Sequence, residues 1–291
     1  MPTDCYLIDG TALIFRSFFS MRSITTPDGV EVNAVFGVMQ SLLKFIRKQK
    51  PEQSAVIFDA GPVTFRNEMY PDYKANREEP ADALIPQFDL SRELASALGF
   101  PTFAVPGFEA DDVIGTLAVR KNHEGMRVLI GSNDKDFSQI VTDTIVLYDM
   151  KTGETTDAAA VEEQWGIPPD RIIEFLAIQG DSVDNVPGMP GIGKKTAQTI
   201  LAAGLSVEQL AEQPDLLDPL PLRGKESLKK KFVNGLEQYK LSRTLVTLDI
   251  DVPLPSDNLA YAGPPRDEIF PFCERMGFSR VQERIENLIR E

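Results

Sequence analysis

Nine carboxylates stand where predicted strands end or predicted helices begin, and they are the residues of this sequence best suited to chemistry. Three of their groups follow short apolar runs that are typical of buried strands. Carboxylates gathered at one edge of a sheet repel one another, so a positive partner must lie among them, and a divalent cation is the natural candidate. The five groups are Asp9; Asp59; Glu109, Asp111 and Asp112; Asp134 and Asp136; Asp181 and Asp184.

The available side chains favour magnesium or manganese. Both ions prefer oxygen ligands, whereas the only histidine, His123, lies at the end of a predicted helix. A His-based catalytic triad and a zinc site built from histidines are therefore excluded. Two divalent ions about 4 Å apart can activate water and stabilise the leaving oxygen of a phosphoryl displacement. We expect two Mg²⁺ or Mn²⁺ ions and water as the nucleophile.

A glycine-rich turn at 184–196 is the second element with chemical meaning. Gly188, Gly191 and Gly193 surround a tight turn that opens a helix near Lys194 and Lys195. Free amides at a helix N-terminus bind phosphate, and the lysines add positive charge. This is the helix–hairpin–helix pattern, at about 184–203, which holds a DNA backbone without reading bases. The alternative is a structural loop between two helices.

A long connection at 60–84 carries interleaved aromatic and basic side chains. Such a composition suits single-stranded nucleic acid, because bases stack on aromatic rings and phosphates pair with cations. A surface excursion with its own small aromatic cluster is an equally good interpretation. The residues concerned are Phe65, Arg66, Tyr70, Tyr73, Lys74 and Arg77.

Strands and helices alternate in the first part of the chain, and helices dominate the second. This order predicts an α/β class fold with a mostly parallel central sheet flanked by helices over 1–168, followed by a helical region over 169–291. In such sheets ligands bind at the carboxyl ends of the strands, where the carboxylates fall. The predicted strands are 5–9, 56–58, 102–105, 128–131 and 145–148. The predicted helices are 33–48, 86–98, 111–121, 158–165, 170–179, 195–203, 206–212, 225–246 and 266–289.

The net charge of −14 argues at first against a nucleic-acid partner. The nine carboxylates supply much of it, and residues 190–245 hold nine Lys or Arg against six Asp or Glu. Local charge decides the binding of a polyanion, so DNA is not excluded. Cys5 and Cys273 are expected to be buried free thiols in a reducing cytoplasm. No apolar run is long enough to cross a membrane, and the N-terminus lacks a signal-peptide pattern.

The ordered motifs resemble the 5′-nucleases of the flap endonuclease superfamily, and within it the 5′→3′ exonuclease domain of bacterial DNA polymerases I. The resemblance covers residues 4–290. It rests on Leu-Ile-Asp9-Gly, Phe-Asp59, Phe65-Arg66, Tyr73-Lys74-Ala-Asn-Arg77, Glu109-Ala-Asp111-Asp112, Asp134-Lys-Asp136, Gly180-Asp181-x2-Asp184 and Pro190-Gly-Ile-Gly-Lys.

The resemblance implies a role for each matched position. One metal ion would be held by Asp9, Asp59, Glu109, Asp111, Asp112 and Asp134, and the second would be shared by Asp134, Asp136, Asp181 and Asp184. Arg66 and Lys74 would contact the scissile phosphate, and Arg16 and Arg77 would steer the 5′ strand. Tyr73 would stack on a base, and segment 60–84 would form an arch around that strand. The duplex would be held by Gly191, Gly193, Lys194, Lys195 and Thr196, with K⁺ on nearby carbonyls.

The sequence thus predicts a structure-specific 5′ nuclease that acts on branched, nicked or flapped DNA in replication and repair. A polymerase partner in cis or in trans, a monomeric state and a cytoplasmic, nucleoid-associated location complete the expectation. Two alternatives stay open. A single-strand RNase of the PIN type would explain the carboxylates but not the glycine hairpin. A non-catalytic branched-DNA-binding protein would gain nothing from nine acids facing a polyanion.

Overall fold

A six-stranded sheet with the order β3-β2-β1-β4-β5-β6 forms the centre of the computed structural model, which describes residues 3–290. All neighbouring strands are parallel except β5 and β6. The apolar runs of the first strands are buried on both faces, as a parallel sheet requires. The strands are β1 (Asp4–Asp9), β2 (Gln53–Ile57), β3 (Thr102–Phe103), β4 (Arg127–Gly131), β5 (Ile145–Tyr148) and β6 (Thr155–Thr156).

The strand order reverses between β1 and β4, and this switch point decides where the carboxylates meet. The chain adds β2 and β3 on one side of β1, then returns to add β4 and β5 on the other. Connections therefore diverge above the carboxyl ends of β1 and β4 and leave a crevice there. Asp9 is the last residue of β1, and Asp134 follows β4 by three residues.

Thirteen α-helices accompany the sheet within the described residues. They are α1 (Gly10–Ser20), α2 (Asn33–Gln49), α3 (Phe65–Met69), α4 (Ile85–Ala97), α5 (Ala110–His123), α6 (Ala158–Trp165), α7 (Ile172–Gln179), α8 (Lys194–Ala202), α9 (Val207–Glu212), α10 (Lys225–Asn234), α11 (Leu236–Val246), α12 (Arg266–Met276) and α13 (Ser279–Arg290).

The structure differs from the predicted elements in four ways. Helix α1 was not predicted, because its apolar residues lie on all sides and show no clear helical period. Helix α3, which has only five residues, and strand β6, which has only two, were not predicted either. The predicted helices 225–246 and 266–289 are each two helices, separated at Gly235 and at Gly277, where the chain ends one helix before beginning the next.

Three apolar clusters form the core. One sheet face packs on α1, α2 and α4, and the other packs on α5. A separate cluster joins α6 to α11. The last helices, α12 and α13, belong to the first sheet cluster through residues such as Phe272 and Ile285. The chain therefore leaves the α/β layer for the helical region and returns to it.

Cys5 and Cys273 are both buried and free, as the sequence predicts. Within residues 3–290, no helix has the length and hydropathy that crossing a membrane requires.

Candidate active site

Asp9 is held rigidly at the switch point by one hydrogen bond on each side. Its Oδ1 accepts from the amide of Ala12 at 2.8 Å and caps α1, while its Oδ2 accepts from the Ser132 hydroxyl at 2.9 Å. Ser132 follows β4, so these bonds join the two strands that flank the crevice. Burial and the nearby charges of Asp59 and Asp134 together raise the pKa of Asp9 to about 6, although the two hydrogen bonds act to lower it. The carboxylate is thus fixed in a place where negative charge is unfavourable.

The N-terminus of α5 brings the next carboxylates to the same edge. Asp59 Oδ1 accepts from the amide of Ala110, the first residue of α5, at 2.8 Å. Burial raises the pKa of Asp111 well above its usual range, and Asp9, Asp134 and Glu109 add to the effect through their charges. Asp111 is therefore surrounded by the other acids that the sequence analysis predicted to gather here.

Arg66, a predicted phosphate contact, and Asp112, a predicted metal ligand, form a fully buried ion pair with each other. The guanidinium binds both carboxylate oxygens of Asp112 at 2.7 Å, and its remaining N–H groups donate to Glu109 and to the carbonyls of Leu245 and Thr247. The side chain of Arg66 is only 2% exposed. All five of its N–H donors are used, so Arg66 has no donor left for a substrate phosphate.

Asp112 is not placed as a metal ligand in this structure. Besides Arg66, its two oxygens accept from the amides of Glu109 and Asp249, at 3.1 Å and 2.8 Å. A carboxylate with this number of partners is satisfied without a metal ion. The pair instead ties α3, α5 and the end of α11 together.

Glu109 binds basic and aromatic side chains of the predicted arch. Its Oε1 pairs with the ammonium of Lys74, and its Oε2 accepts from the Tyr73 hydroxyl at 3.1 Å. Tyr73 is 4% exposed, and its ring lies in the core of the helical region. The ring of Tyr73, which the resemblance assigns to base stacking, is covered by protein in this structure.

The second-site group consists of Asp134, Asp136, Asp181 and Asp184, and each member except Asp136 has a partner for its charge or its oxygens. Asp134 Oδ1 accepts from the amide of Asp136 at 2.9 Å. Asp181 pairs with Lys135, and Asp184 pairs with Arg77 and lies 3.8 Å from the Lys74 ammonium.

The arch residues dock directly on the loop that carries the second-site group. The amide of Lys74 donates to the carbonyl of Asp184 at 3.0 Å, and Asn185 donates to the carbonyl of Asp72 at 2.7 Å. Lys74 and Asn185 both have positive φ, 57° and 56°. Such conformations are unfavourable for residues other than glycine. They persist at this junction because the surrounding contacts hold the backbone in place. Lys74 thereby lies between Glu109 and Asp184, one acid from each predicted metal site.

The acids fit a divalent metal site in their chemistry, although none is yet arranged as a chelate. Within residues 3–290, no three His, Cys, Asp or Glu side chains are placed to hold one ion together. Basic side chains pair with several of the acids instead. Asp136 Oδ1, by contrast, is buried and has no hydrogen-bond partner in the described chain. An orphaned oxygen among crowded acids, with oxygen the only donor type, suits Mg²⁺ or Mn²⁺.

The crowded acids predict a pH dependence for the metal-free protein. Burial raises the pKa of Asp9 to about 6 and that of Asp136 to about 7. A group whose pKa is raised by folding stabilises the fold while protonated, and this stability is lost as the pH rises through the folded pKa. In EDTA we expect the free energy of unfolding to fall by about 1–3 kcal/mol between pH 5 and pH 8.

Chemical denaturation at several pH values checks this prediction. Asp181 does not interfere. Burial acts to raise its pKa, but the hydrogen bond and charge of Lys135 and the backbone amides of Val183 and Asp184 together outweigh burial and lower the pKa of Asp181 below its usual value. Excess Mg²⁺ is the control, and it should reduce the decline by neutralising the acids. A free energy of unfolding that rises between pH 5 and pH 8 in EDTA would contradict the assignment.

The glycine hairpin is built on a close crossing of two backbones. Gly180 and Gly188 have φ of 73° and 63°. A Cβ on either residue would lie 2.6 Å from a backbone atom of the chain segment that crosses it. Only glycine allows this approach. The crossing sets the loop of Asp181 and Asp184 against the turn that begins α8, so the acids and the hairpin are one structural unit.

The hairpin residues lie where the sequence predicts an exposed phosphate-binding turn. Gly193 is the N-cap of α8, and Lys194 and Lys195 are exposed in its first turn. Gly191 is exposed and Thr196 is half-buried. The carbonyl of Gly191 accepts from the Lys231 ammonium at 2.8 Å, a contact that the sequence analysis did not predict.

Lys195→Ala is expected to weaken duplex binding equally for every DNA sequence. Each phosphate contact releases counterions, so the slope of log affinity against log salt should become about 1 unit less negative. Fluorescence anisotropy in EDTA at four salt concentrations measures it. Arg47→Ala is the matched control, because Arg47 is exposed in α2 near the amino ends of the strands, at the opposite edge. Equal slopes for wild type and Lys195→Ala would contradict a phosphate contact.

Arg16 and Arg77 keep exposed guanidinium groups. Arg16 lies in α1 and lines a cavity of about 160 Å³ with Asp9 and Ser132. Arg77 pairs with Asp184 while half of its side chain remains exposed. The sequence analysis missed Ser132 and Lys135, which hold Asp9 and Asp181. Lys135 stands between two predicted ligands, and this position was the available signal.

Comparisons with known proteins agree with this geometry. A family model described as the 5′-3′ exonuclease, N-terminal resolvase-like domain, matches residues 4–166, and one described as the 5′-3′ exonuclease, C-terminal SAM fold, matches 167–267. DNA polymerase I of Pseudomonas aeruginosa is 38% identical over 289 residues, which are 98% of this chain and 31% of that protein. The 5′-3′ exonuclease of Aquifex aeolicus is 32% identical, over 98% of this chain and 96% of that protein.

Solved structures share the fold. The T5 D15 flap endonuclease, in a complex with DNA and metal ions, has a TM-score of 0.65 at 24% identity, with 99% of this chain and 100% of that chain covered. The catalytic core of Rad2 in complex with DNA substrate has a TM-score of 0.66 at 16% identity, with 100% and 93% covered. At these identities the likeness establishes the architecture alone.

Proposed function

This chain belongs to the 5′-3′ exonuclease family, and on that premise we propose that it is a metal-dependent, structure-specific 5′ nuclease that cuts DNA near junctions of single and double strand. The chain spans about a third of the length of the DNA polymerases I it matches and nearly the full length of the Aquifex exonuclease. A partner polymerase, a monomeric state and a nucleoid-associated cytoplasmic location are part of the same proposal.

One observation supports the proposal most strongly: the arch, the acids and the hairpin meet at Lys74. Its ammonium pairs with Glu109 and lies 3.8 Å from Asp184, and its amide is bonded to the loop that precedes the hairpin. The arch proposed to bind single-stranded DNA, the acids proposed to bind metal and the hairpin proposed to bind duplex are thereby adjacent. That adjacency is what cleavage at a junction requires.

We propose eight acids as the metal-binding set. Divalent ions there supply a water nucleophile at neutral pH and charge stabilisation for the leaving oxygen. Lys74 would stabilise charge that develops on the scissile phosphate. The exposed amides and lysines of the hairpin would hold the duplex, with K⁺ as a proposed additional ion. The eight acids are Asp9, Asp59, Glu109, Asp111, Asp134, Asp136, Asp181 and Asp184.

Product mapping on a double-flap DNA tests the activity. We expect short 5′ products cut near the junction in Mg²⁺ or Mn²⁺ and no cleavage in EDTA. Single-stranded RNA of equal length is the competing substrate, because a PIN-type RNase would prefer it. Binding of flap DNA with no divalent-dependent cleavage would instead identify a non-catalytic binding protein. Either outcome would overturn the proposal.

Lys74→Ala should lower turnover far more than affinity. Loss of one positioned cation at developing charge costs about 10²–10³-fold in rate. We expect the change in dissociation constant for flap DNA, measured in EDTA, to stay within about threefold, because several other cations also contact phosphates. Single-turnover cleavage separates the two quantities. Lys195→Ala should behave in the opposite way, and a pure binding defect in Lys74→Ala would show that Lys74 only grips DNA.

A further inference from the structure

Lys135 is a basic residue placed inside the second-site group. It is the first residue of a 3₁₀ helix (Lys135–Ile140) that follows Asp134, and Asp136 comes next. Its ammonium reaches across to Asp181, on the loop after α7. The side chain of Lys135 remains 43% exposed, whereas that of Asp181 is 11% exposed. A flexible cation at the surface thus pairs with an acid that is largely covered.

Both carboxylate oxygens of Asp181 accept hydrogen bonds, and Lys135 supplies one of the two donors. Asp181 Oδ2 accepts from Lys135, and Oδ1 accepts from the amide of Val183 at 2.8 Å. The orphaned Asp136 Oδ1 lies in the same group without such a partner. One ammonium therefore neutralises one acid of the group and leaves its neighbour unsatisfied. Opening this ion pair costs the exposed lysine little free energy, because water can solvate its ammonium as soon as it separates from Asp181.

We propose that Lys135 is a tethered counter-ion of the second-site group, which competes with a divalent ion for Asp181 and leaves it when the ion binds. The proposal rests on the metal site of the proposed function. The pairing explains how acids that repel one another remain folded without metal. It also explains why, among the described residues, the acids are not yet arranged to hold an ion together. The freed ammonium stays tethered between Asp134 and Asp136, where a substrate phosphate can use it.

Competition between Lys135 and a divalent ion predicts the direction in which metal affinity changes when the lysine is replaced. While the ion pair is closed, Asp181 is unavailable, so the apparent affinity for metal is reduced by the fraction of protein in which the pair is open. Removing the ammonium removes the competitor. For an ion pair with one half-exposed partner, we expect Lys135→Met to raise Mn²⁺ affinity at the second-site group about two- to tenfold. A lysine that merely orients Asp181 for metal would give the opposite change, a loss of affinity.

Electron paramagnetic resonance of free Mn²⁺, titrated without DNA, measures the affinity directly. Lys135→Arg should keep the wild-type affinity, because it keeps the charge and the pair. Lys151→Met is the control for a general charge effect, since Lys151 is exposed on the loop between β5 and β6 and lies at the same sheet edge. Asp181→Asn should lose one Mn²⁺ site and thereby identify that site as the one held by the second-site group.

A second readout is thermal stability, which does not depend on activity. Lys135→Met should melt at a lower temperature than wild type in EDTA, where Asp181 is left without its partner, and should gain more from added Mn²⁺. Unchanged or weaker Mn²⁺ binding by Lys135→Met, with normal binding by wild type, would overturn this proposal alone. Absence of Mn²⁺ binding in the wild type would overturn the proposed function together with it.

Discussion

Asp111→Asn is expected to reduce cleavage of a 5′-flap substrate by at least about 10²-fold while making the metal-free protein more stable. Asp111 is half-buried, and partial desolvation together with the charges of Asp9, Asp134 and Glu109 raises its pKa. An amide of the same shape cannot supply the negative charge that a divalent ion requires. The same replacement removes a repelling charge, so the melting temperature in EDTA should rise by about 2–4 °C.

The two measurements for Asp111→Asn must be read together. Single-turnover cleavage in Mg²⁺ gives the rate, and differential scanning calorimetry in EDTA gives the stability. Asp89→Asn is the matched control, because Asp89 is exposed in α4 and pairs only loosely, at 3.7 Å, with Arg92. It should leave both quantities unchanged. A variant that cleaves at the wild-type rate, or one that melts at a lower temperature in EDTA, would show that Asp111 is an ordinary helix-capping acid.

Arg66→Met is expected to destabilise the protein by about 3–5 kcal/mol, because it leaves the buried Asp112 carboxylate without its partner. It also leaves the carbonyls of Leu245 and Thr247 without the donors they have in the structure. Urea denaturation in EDTA measures the effect on folding independently of catalysis. Arg77→Met is the control, since the guanidinium of Arg77 is half-exposed and its loss should cost no more than about 1 kcal/mol.

The double variant Arg66→Met with Asp112→Asn tests the pair as a pair. If the two side chains mainly serve each other, the double variant should cost less than the sum of the single variants by about 1–3 kcal/mol. An arginine that contacts the scissile phosphate would behave differently. Arg66→Met would then fold with unchanged stability and lose only turnover, and that result would support the predicted contact between Arg66 and the scissile phosphate.

The sequence determined the architecture and the positions of the acids. Continuous apolar runs and β–α alternation are properties of local sequence, and they predicted the strands and most helices to within a few residues. A parallel sheet brings the carboxyl ends of its strands to one edge, so acids that follow strands had to meet there. Asp9, Asp59 and Asp111 illustrate this. The hairpin could also be predicted from the sequence. Its glycines, such as Gly188, are required by the backbone conformation of the turn itself.

Tertiary structure alone decided which polar and charged side chains are exposed and which are paired. Arg66, Tyr73 and Asp112 have the residue types of a catalytic site, yet here they are buried and hydrogen-bonded to other side chains. Lys135 was given no role from the sequence, yet it reaches Asp181 across 46 positions. Patterns along the chain record what each residue can do, whereas pairing between distant residues is set by packing. Whether a charge meets solvent, substrate or another side chain therefore depends on contacts that no local pattern encodes.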